Sequence, residues 1–197
     1  MGIGSLAGRE RRAVFLDRDG VLNRAIVRDG KPYPPGNVEE LEILPGVRDS
    51  LNQLRGLGFV LVVVTNQPDI ARGSQSLAQV EAIHARLRQE LPLDDVLMCA
   101  HDEGDGCHCR KPRPGMLEQA AACFGLDLRA SYLIGDRWRD IDAGHAAGCT
   151  TILIDYRYRE RPPAKEPSAR VGSLAEAAAW IVAAEQGRSS VAPNAKG

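Results

Sequence analysis

The sequence predicts an α/β protein of the Rossmann-like three-layer type, in which a central parallel sheet lies between two layers of helices. Two observations predict this class. Short apolar runs alternate with longer segments whose apolar residues recur at helical spacing, which is typical of consecutive βαβ units. Several of these runs end directly on a polar side chain, as strands do at the ligand-binding edge of a buried sheet. The chain has 197 residues, enough for one domain with a proper core.

The individual elements follow from these patterns in chain order. Strands are predicted at the apolar runs 13–16, 59–64, 95–98, 132–134 and 150–154. Helices, with apolar residues on one stripe and glycine or proline near most ends, are predicted at 47–57, 76–90, 114–124, 138–147 and 173–184. Segment 24–36 is rich in proline and glycine, which predicts a loop or small hairpin over the end of the sheet.

The domain boundaries come from the same patterns. One domain is expected to span residues 13–185, with the short segment 99–109 inserted in it. Residues 1–12 precede the first strand and are interpreted as an N-terminal extension. Residues 186–197 follow the last predicted helix and are expected to form a disordered tail.

Composition and charge exclude several classes of function. The formal net charge of −1 and a pI of about 6.4 argue against general electrostatic binding to nucleic acid or to an anionic membrane. Aromatic residues make up only 5%, too few for a base-stacking surface. No signal peptide is recognisable, and the longest apolar run, 59–64, is too short to span a bilayer. We therefore expect a cytoplasmic protein, a monomer or small homo-oligomer, with no nucleic-acid or membrane partner.

Two carboxylates follow the first predicted strand. Asp17 and Asp19 stand one residue apart, so their side chains point the same way along an extended chain. Converging carboxylates need a positive charge between them, and Mg²⁺ is the usual ion. A solvated acidic turn is the alternative explanation for an isolated pair. Here, however, Thr65 and Asp136 also follow strands directly, and Lys111 follows a strand and a loop, so all are predicted to gather at one edge of the sheet.

Four soft metal ligands lie within the segment 99–109. Cys99, His101, Cys107 and Cys109 supply three thiolates and an imidazole, which suits a tetrahedral Zn²⁺ with no open position. Such a site is structural. Disulfides are not expected, because the chain has five cysteines and the cytosol is reducing. His108 is not predicted as a ligand, since both of its neighbours are already committed to the metal.

In this order, Asp17, Thr65, Lys111 and Asp136 resemble the four signature motifs of the haloacid dehalogenase superfamily of phosphohydrolases. The resemblance spans residues 14–154, and the Asp-x-Asp-Gly form is similar to that of its phosphatases. It implies Mg²⁺-dependent hydrolysis through an aspartyl-phosphate, with Asp17 as nucleophile and Asp19 as general acid and base. It also implies that Thr65 and Lys111 hold phosphoryl oxygens. The implied magnesium ligands are Asp17, Asp136 and the backbone carbonyl of Asp19.

The pattern Cys-x-His followed by Cys-x-Cys-Arg-Lys-Pro resembles one branch, the heptose bisphosphate and histidinol-phosphate phosphatases. This branch has no large cap domain. The stretches 70–73 and 109–117 resemble the heptose enzymes, whereas the short zinc loop is similar to that of the histidinol-phosphate enzymes. Segment 24–35 departs from both. The implied substrate is D-glycero-D-manno-heptose 1,7-bisphosphate, losing its 7-phosphate, or a related sugar phosphate, with histidinol phosphate as the alternative.

Two functions of other kinds stay open. A polynucleotide-end phosphatase is disfavoured by the near-neutral charge, and a non-catalytic zinc-loop interaction module is disfavoured by the intact acidic and lysine positions. Arg110 and Arg72 are expected to hold hydroxyls or a second phosphate of a small substrate. The complete set predicted to bind substrate is Asn66, Gln67, Arg72 and Arg110.

Two further polar residues receive structural interpretations. His84 lies on the apolar face of the second predicted helix, which indicates a packed core histidine. Asp140 lies in the first turn of the fourth helix, where its negative charge either interacts favourably with the helix dipole or supports the site.

Overall fold

The computed structural model describes residues 11–191, with side chains described to residue 188. Its centre is a six-stranded sheet made of β1 (Ala13–Leu16), β4 (Val60–Asn66), β5 (Asp95–Cys99), β6 (Tyr132–Gly135), β7 (Thr150–Ile154) and β8 (Ala169–Val171). All neighbouring strands run parallel, in the order β5-β4-β1-β6-β7-β8. The predicted central parallel sheet is confirmed.

Within residues 11–191, five α-helices cover the sheet: α1 (Val47–Gly56), α2 (Leu77–Glu90), α3 (Gly115–Phe124), α4 (Trp138–Ala147) and α5 (Leu174–Val191). Residues of β1 alternate between two apolar clusters. Val14 and Leu16 pack in the cluster that includes residues of α1, α2 and α5, whereas Ala13 and Phe15 pack with α3 and α4. All four are fully buried, because a parallel strand has helices on both faces. The three-layer arrangement follows.

An antiparallel hairpin occupies the proline-rich segment after β1. It consists of β2 (Ile26–Arg28) and β3 (Lys31–Tyr33). Gly30 has a φ of 75°, the left-handed region that favours glycine, and its carbonyl accepts a 3.0 Å hydrogen bond from the Arg159 amide. This bond ties the hairpin to the loop after β7. No large cap domain interrupts residues 11–191.

The strand β8 is an addition to the five strands that the apolar runs predict. Pairing with β7 produces the extra strand: the Ser168 amide donates to the Thr151 carbonyl at 2.8 Å, and Ala169 to Val171 continue the parallel ladder. The three residues of β8 are too few to show a recognisable strand pattern of their own. The neighbouring strand therefore decides their conformation.

The last helix extends further than predicted, because α5 continues to Val191. Glu185 holds this end by accepting a hydrogen bond from the Tyr132 hydroxyl at 2.7 Å and pairing with Arg188 at 3.1 Å. Residues 1–10 and 192–197, parts of the predicted extension and tail, lie outside the described residues. Throughout the described range, the helices lack the combination of length and apolar character that crossing a membrane requires.

Candidate active site

The carboxyl ends of three adjacent strands bring the predicted catalytic residues together. Asp17 follows β1 directly, Thr65 lies near the end of β4, and Asp136 follows β6 directly. Because β1 lies between β4 and β6, these side chains meet at one edge of the sheet. Lys111 reaches the same edge from the loop between β5 and α3. The residues lining the pocket there include Asp17, Asp19, Lys31, Thr65, Asn66, Arg72, Arg110, Lys111, Asp136 and Asp140.

Lys111 is a buried cation in the floor of this pocket. Its Nζ lies 2.8 Å from Asp17 Oδ1 and 2.6 Å from Asp140 Oδ1, and it donates to the Val64 carbonyl at 2.6 Å. Burial alone would lower the pKa of Lys111, but the Asp140 and Asp17 carboxylates outweigh burial and raise that pKa. The Lys111 ammonium therefore stays charged and faces the carboxylate of Asp17.

Three buried carboxylates converge beside this ammonium. Asp17, Asp136 and Asp140 each offer an oxygen within 4.8 Å of the others. Asp140 is paired with Lys111, whereas both oxygens of Asp136 are buried without a hydrogen-bond partner of normal geometry. The Tyr158 hydroxyl lies close enough that burial and the charge of Asp136 raise its pKa.

The electrostatics of Asp136 and Asp17 favour a cation between them. Burial and the neighbouring Asp17 and Asp140 charges raise the pKa of Asp136 well above its usual range. Burial raises the pKa of Asp17 to about 6 despite the opposing charge of Lys111. Unpartnered buried carboxylates are costly unless they are protonated or bind a metal. Their oxygen donors fit Mg²⁺, which prefers oxygen ligands.

Two glycines leave room for these carboxylates. A Cβ built on Gly20 would lie 2.0 Å from Asp136 Oδ2, and Gly20 has a φ of +84°. A Cβ on Gly135 would lie 2.2 Å from the Cβ of Asp140. Larger residues at either position would displace a carboxylate of the site.

Asp19 is held by three donors. Arg18 donates from Nε to both oxygens, at 3.1 and 3.2 Å, and from Nη2 to Oδ2 at 3.0 Å. Asn23 and Gln67 each donate an amide hydrogen bond of 2.9 Å. Burial raises the pKa of Asp19, but the Arg18 charge and these hydrogen bonds outweigh it and hold that pKa below its usual range. The side chain is therefore charged and fixed in direction.

Asn66 and Gln67, both predicted to bind substrate, hold other residues of the site. Asn66 donates to the Lys111 carbonyl and accepts from the Lys111 amide, both at 3.0 Å. Gln67 is fully buried and donates from Nε2 to Asp19 and to Thr65 Oγ1, the latter at 2.8 Å. Its position beneath the pocket does not favour the predicted substrate contact, because the side chain supports two neighbours instead. Asn66 also lines the pocket.

The two predicted arginines line the opening. Arg72 makes a two-pronged contact with Asp102 at 2.8 and 2.7 Å. Arg110 donates to the His101 carbonyl at 3.1 Å, and its buried Nε has no hydrogen-bond partner. Arg110 is thus less fully paired than Arg72 and is the better placed of the two to receive an anionic ligand.

The four predicted zinc ligands come together in the loop after β5. Cys109 Sγ lies 3.2 Å from Cys99 Sγ and 3.5 Å from Cys107 Sγ, and His101 Nδ1 lies 3.3 Å from Cys109 Sγ. All four ligand atoms lie within 4.8 Å of one another. A tetrahedral ion with Zn–S bonds of about 2.3 Å holds its sulfurs roughly 3.8 Å apart, somewhat farther than here. The three thiols and one imidazole are nevertheless a donor set that suits zinc. His108 instead contacts Glu118, at 2.7 Å.

Three buried residues make more contacts in the site than their sequence positions predict. Asp140, given only a supporting interpretation, directly contacts Lys111 and accepts from the Arg137 amide at 3.0 Å. Arg18 and His84 contact each other at 3.1 Å behind Asp19. The alternation of side chains along a strand could have identified Arg18, because a residue between two pocket-facing carboxylates points to the opposite face of the sheet.

His84 gives a pH dependence of stability. Burial and the Arg18 charge lower its pKa to about 3, from 6.5 in the unfolded chain. The unfolded state therefore binds more protons between these values, so this contribution is complete above pH 6.5 and is lost as pH falls toward 3. We expect His84→Gln to flatten the loss of stability on acidification in that window, measured by chemical denaturation at several pH values. His108→Gln, at an exposed histidine, should retain the wild-type profile; equal profiles for all three proteins would contradict the expectation.

Comparison with known proteins gives consistent matches. A family model described as HAD-hydrolase-like matches residues 108–177. The chain is 38% identical over 151 residues to the D-glycero-beta-D-manno-heptose-1,7-bisphosphate 7-phosphatase of Pseudomonas aeruginosa, covering 73% of this chain and 81% of that protein. The same-named protein of Escherichia coli K12 is 36% identical over 154 residues, covering 72% and 78%. The structure of D,D-heptose 1,7-bisphosphate phosphatase from B. bronchiseptica, complexed with magnesium and phosphate, matches with a TM-score of 0.77 and 30% identity, covering 88% of this chain and 99% of that chain.

Proposed function

This chain belongs to the haloacid dehalogenase-like phosphatases, and on that premise we propose that it removes the 7-phosphate of D-glycero-D-manno-heptose 1,7-bisphosphate. The observation that supports this most is the buried group of Asp17, Asp136 and Lys111 at one sheet edge. The named relatives are heptose bisphosphate phosphatases, which favours that substrate over histidinol phosphate.

In the proposed reaction, Asp17 is the nucleophile. One of its oxygens attacks phosphorus while the bond from phosphorus to the sugar oxygen breaks, which leaves an aspartyl-phosphate. Lys111, already 2.8 Å from Asp17, and the Thr65 hydroxyl hold the equatorial oxygens on which negative charge accumulates. Asp140 keeps the Lys111 ammonium in place.

Asp19 is proposed to move the protons. It takes up a proton from solvent before the first step and donates it to the departing sugar oxygen. It later takes a proton from the water that attacks the aspartyl-phosphate, which regenerates Asp17 and releases phosphate. Its hydrogen bonds from Arg18, Asn23 and Gln67 fix the carboxylate beside the nucleophile. The same group thereby serves both steps.

Asp17, Asp136 and the backbone carbonyl of Asp19 are the proposed magnesium ligands. When bound, Mg²⁺ supplies positive charge that offsets the carboxylates and the incoming phosphoryl group. The buried oxygens of Asp136, which lack a hydrogen bond of normal geometry, support this assignment. A structural Zn²⁺ is proposed at Cys99, His101, Cys107 and Cys109.

Phosphate release from a panel of substrates tests the proposed function. The purified protein with Mg²⁺ is assayed against heptose 1,7-bisphosphate, several sugar monophosphates and histidinol phosphate. We expect kcat/KM for the bisphosphate to exceed that for histidinol phosphate by at least about 100-fold, since a second phosphate adds charged contacts. A preference for histidinol phosphate, or no release from any member, would overturn the proposal.

Lys31 of the hairpin is expected to contribute to bisphosphate selectivity. It lines the pocket, and no ion-pair partner for its ammonium exists within residues 11–191. Lys31→Ala should raise KM for a sugar bisphosphate by roughly 3- to 10-fold and leave KM for the monophosphate nearly unchanged. Lys165→Ala, at an exposed position outside the pocket, is the matched control. Equal effects on both substrates would remove Lys31 from the recognition of the second phosphate.

A further inference from the structure

Arg18 is a fully buried cation that stands between Asp17 and Asp19 in the sequence. Asp17 and Asp19 line the pocket, whereas the Arg18 guanidinium extends behind them toward α2. A buried guanidinium needs partners for its N–H groups. Nε and Nη2 bind the carboxylate of Asp19, and Nη1 lies 3.1 Å from Nε2 of His84.

The direction of the hydrogen bond between Arg18 and His84 is determined by their chemistry. A guanidinium has only donors, so Nε2 of His84 must accept and carries no proton. The depressed pKa of His84, caused by burial and the Arg18 charge, agrees with a neutral ring. Glu81 Oε1 lies 3.8 Å from Nδ1, on the side where the remaining ring proton must be. His84 is 1% exposed and sits on the fourteen-residue helix α2, a rigid support.

We propose that His84 is a positioning residue for the phosphatase reaction, which holds the Arg18 guanidinium so that the Asp19 carboxylate is kept in its productive direction. This inference rests on the proposed function, in which Asp19 moves the protons. Fold stability alone does not account for the arrangement, because buried ion pairs are often no more stabilising than apolar side chains of similar volume. The fork of Arg18 instead fixes both oxygens of Asp19.

A misdirected Asp19 affects the two chemical steps differently, which produces a specific kinetic signature. An alkyl leaving oxygen needs a proton from Asp19, whereas p-nitrophenolate leaves without one. Hydrolysis of the aspartyl-phosphate needs Asp19 as a base whichever ester formed it. A misdirected Asp19 therefore spares only the first step with p-nitrophenyl phosphate. A loss of folded enzyme reduces every step by the same factor.

The test compares His84→Leu, which lacks an acceptor, with His84→Gln, which retains one. The magnesium-loaded enzymes are mixed rapidly with p-nitrophenyl phosphate and, separately, with an alkyl phosphate. For His84→Leu we expect a burst near one p-nitrophenol per folded chain, followed by a steady rate at least about tenfold below wild type. Turnover of the alkyl phosphate should fall by at least about tenfold without a burst. His84→Gln should restore both rates to within about threefold of wild type.

Val80→Ala, at a buried position one turn earlier on α2, controls for destabilisation. The inference is overturned if His84→Leu lowers burst amplitude and steady rate only in proportion to its folded fraction, or if His84→Gln behaves like His84→Leu. If His84→Leu does not fold, Arg18→Lys serves, because one ammonium cannot replace the fork, and it must show the same burst signature. A wild-type protein inactive on both esters would instead contradict the proposed function, so the two failures are distinct.

Discussion

Asp17→Asn is expected to reduce phosphate release by at least roughly 10³-fold while leaving the chain folded. The amide cannot attack phosphorus to form an aspartyl-phosphate. The fold should persist, because Lys111 keeps Asp140 at 2.6 Å and the Val64 carbonyl. One negative charge also leaves a crowded carboxylate group, which reduces the repulsion that contributes to the raised pKa of Asp136.

Phosphate release with Mg²⁺, a thermal melt and zinc content are measured together on the Asp17→Asn protein. Asp49→Asn, at an exposed acidic residue in the first turn of α1, is the control and should match wild type in all three. Activity of Asp17→Asn within tenfold of wild type would remove Asp17 from the nucleophile role. A collapse of the melting curve would show that its charge is needed for folding.

Cys107→Ser is expected to lose bound zinc and to lower the melting temperature by several degrees. A serine hydroxyl is a poor zinc ligand, and the free energy of structural zinc binding is also folding free energy. Burial raises the pKa of Cys99 to about 12, so this thiol needs a bound metal to become a thiolate. Cys109 stands two residues before Lys111, and disorder of the loop should therefore reduce phosphatase activity as well.

Zinc content by metal analysis, the melting curve and hydrogen exchange of residues 107–113 are the measurements for Cys107→Ser. Cys123→Ser changes an exposed cysteine on α3 and should leave all three unchanged. Unaltered zinc content and melting temperature in Cys107→Ser would count against a structural zinc site at this loop.

Local patterns were sufficient for most of the fold. The all-apolar runs of β1 and β4 indicate strands buried on both faces, and the parallel sheet follows from their alternation with helices. The strand β8 and residues 186–191 of α5 were not predicted. Their conformations depend on pairing with β7 and on contacts of Glu185, which involve residues distant in sequence.

The sequence by itself determined which residues stand at strand ends, because the period of the apolar pattern shows where each buried strand stops. Asp17, Thr65 and Asp136 were found in this way, whereas the proposed zinc ligands were found from the crowding of cysteine and histidine within residues 99–109. Only the tertiary structure decided which side chains of the site contact one another. Asp140 contacts Lys111, Gln67 donates to Thr65, and His84 accepts from Arg18. The physical reason is that ion pairs and hydrogen bonds act over a few ångströms between elements that lie tens of residues apart, and no local periodicity encodes those distances.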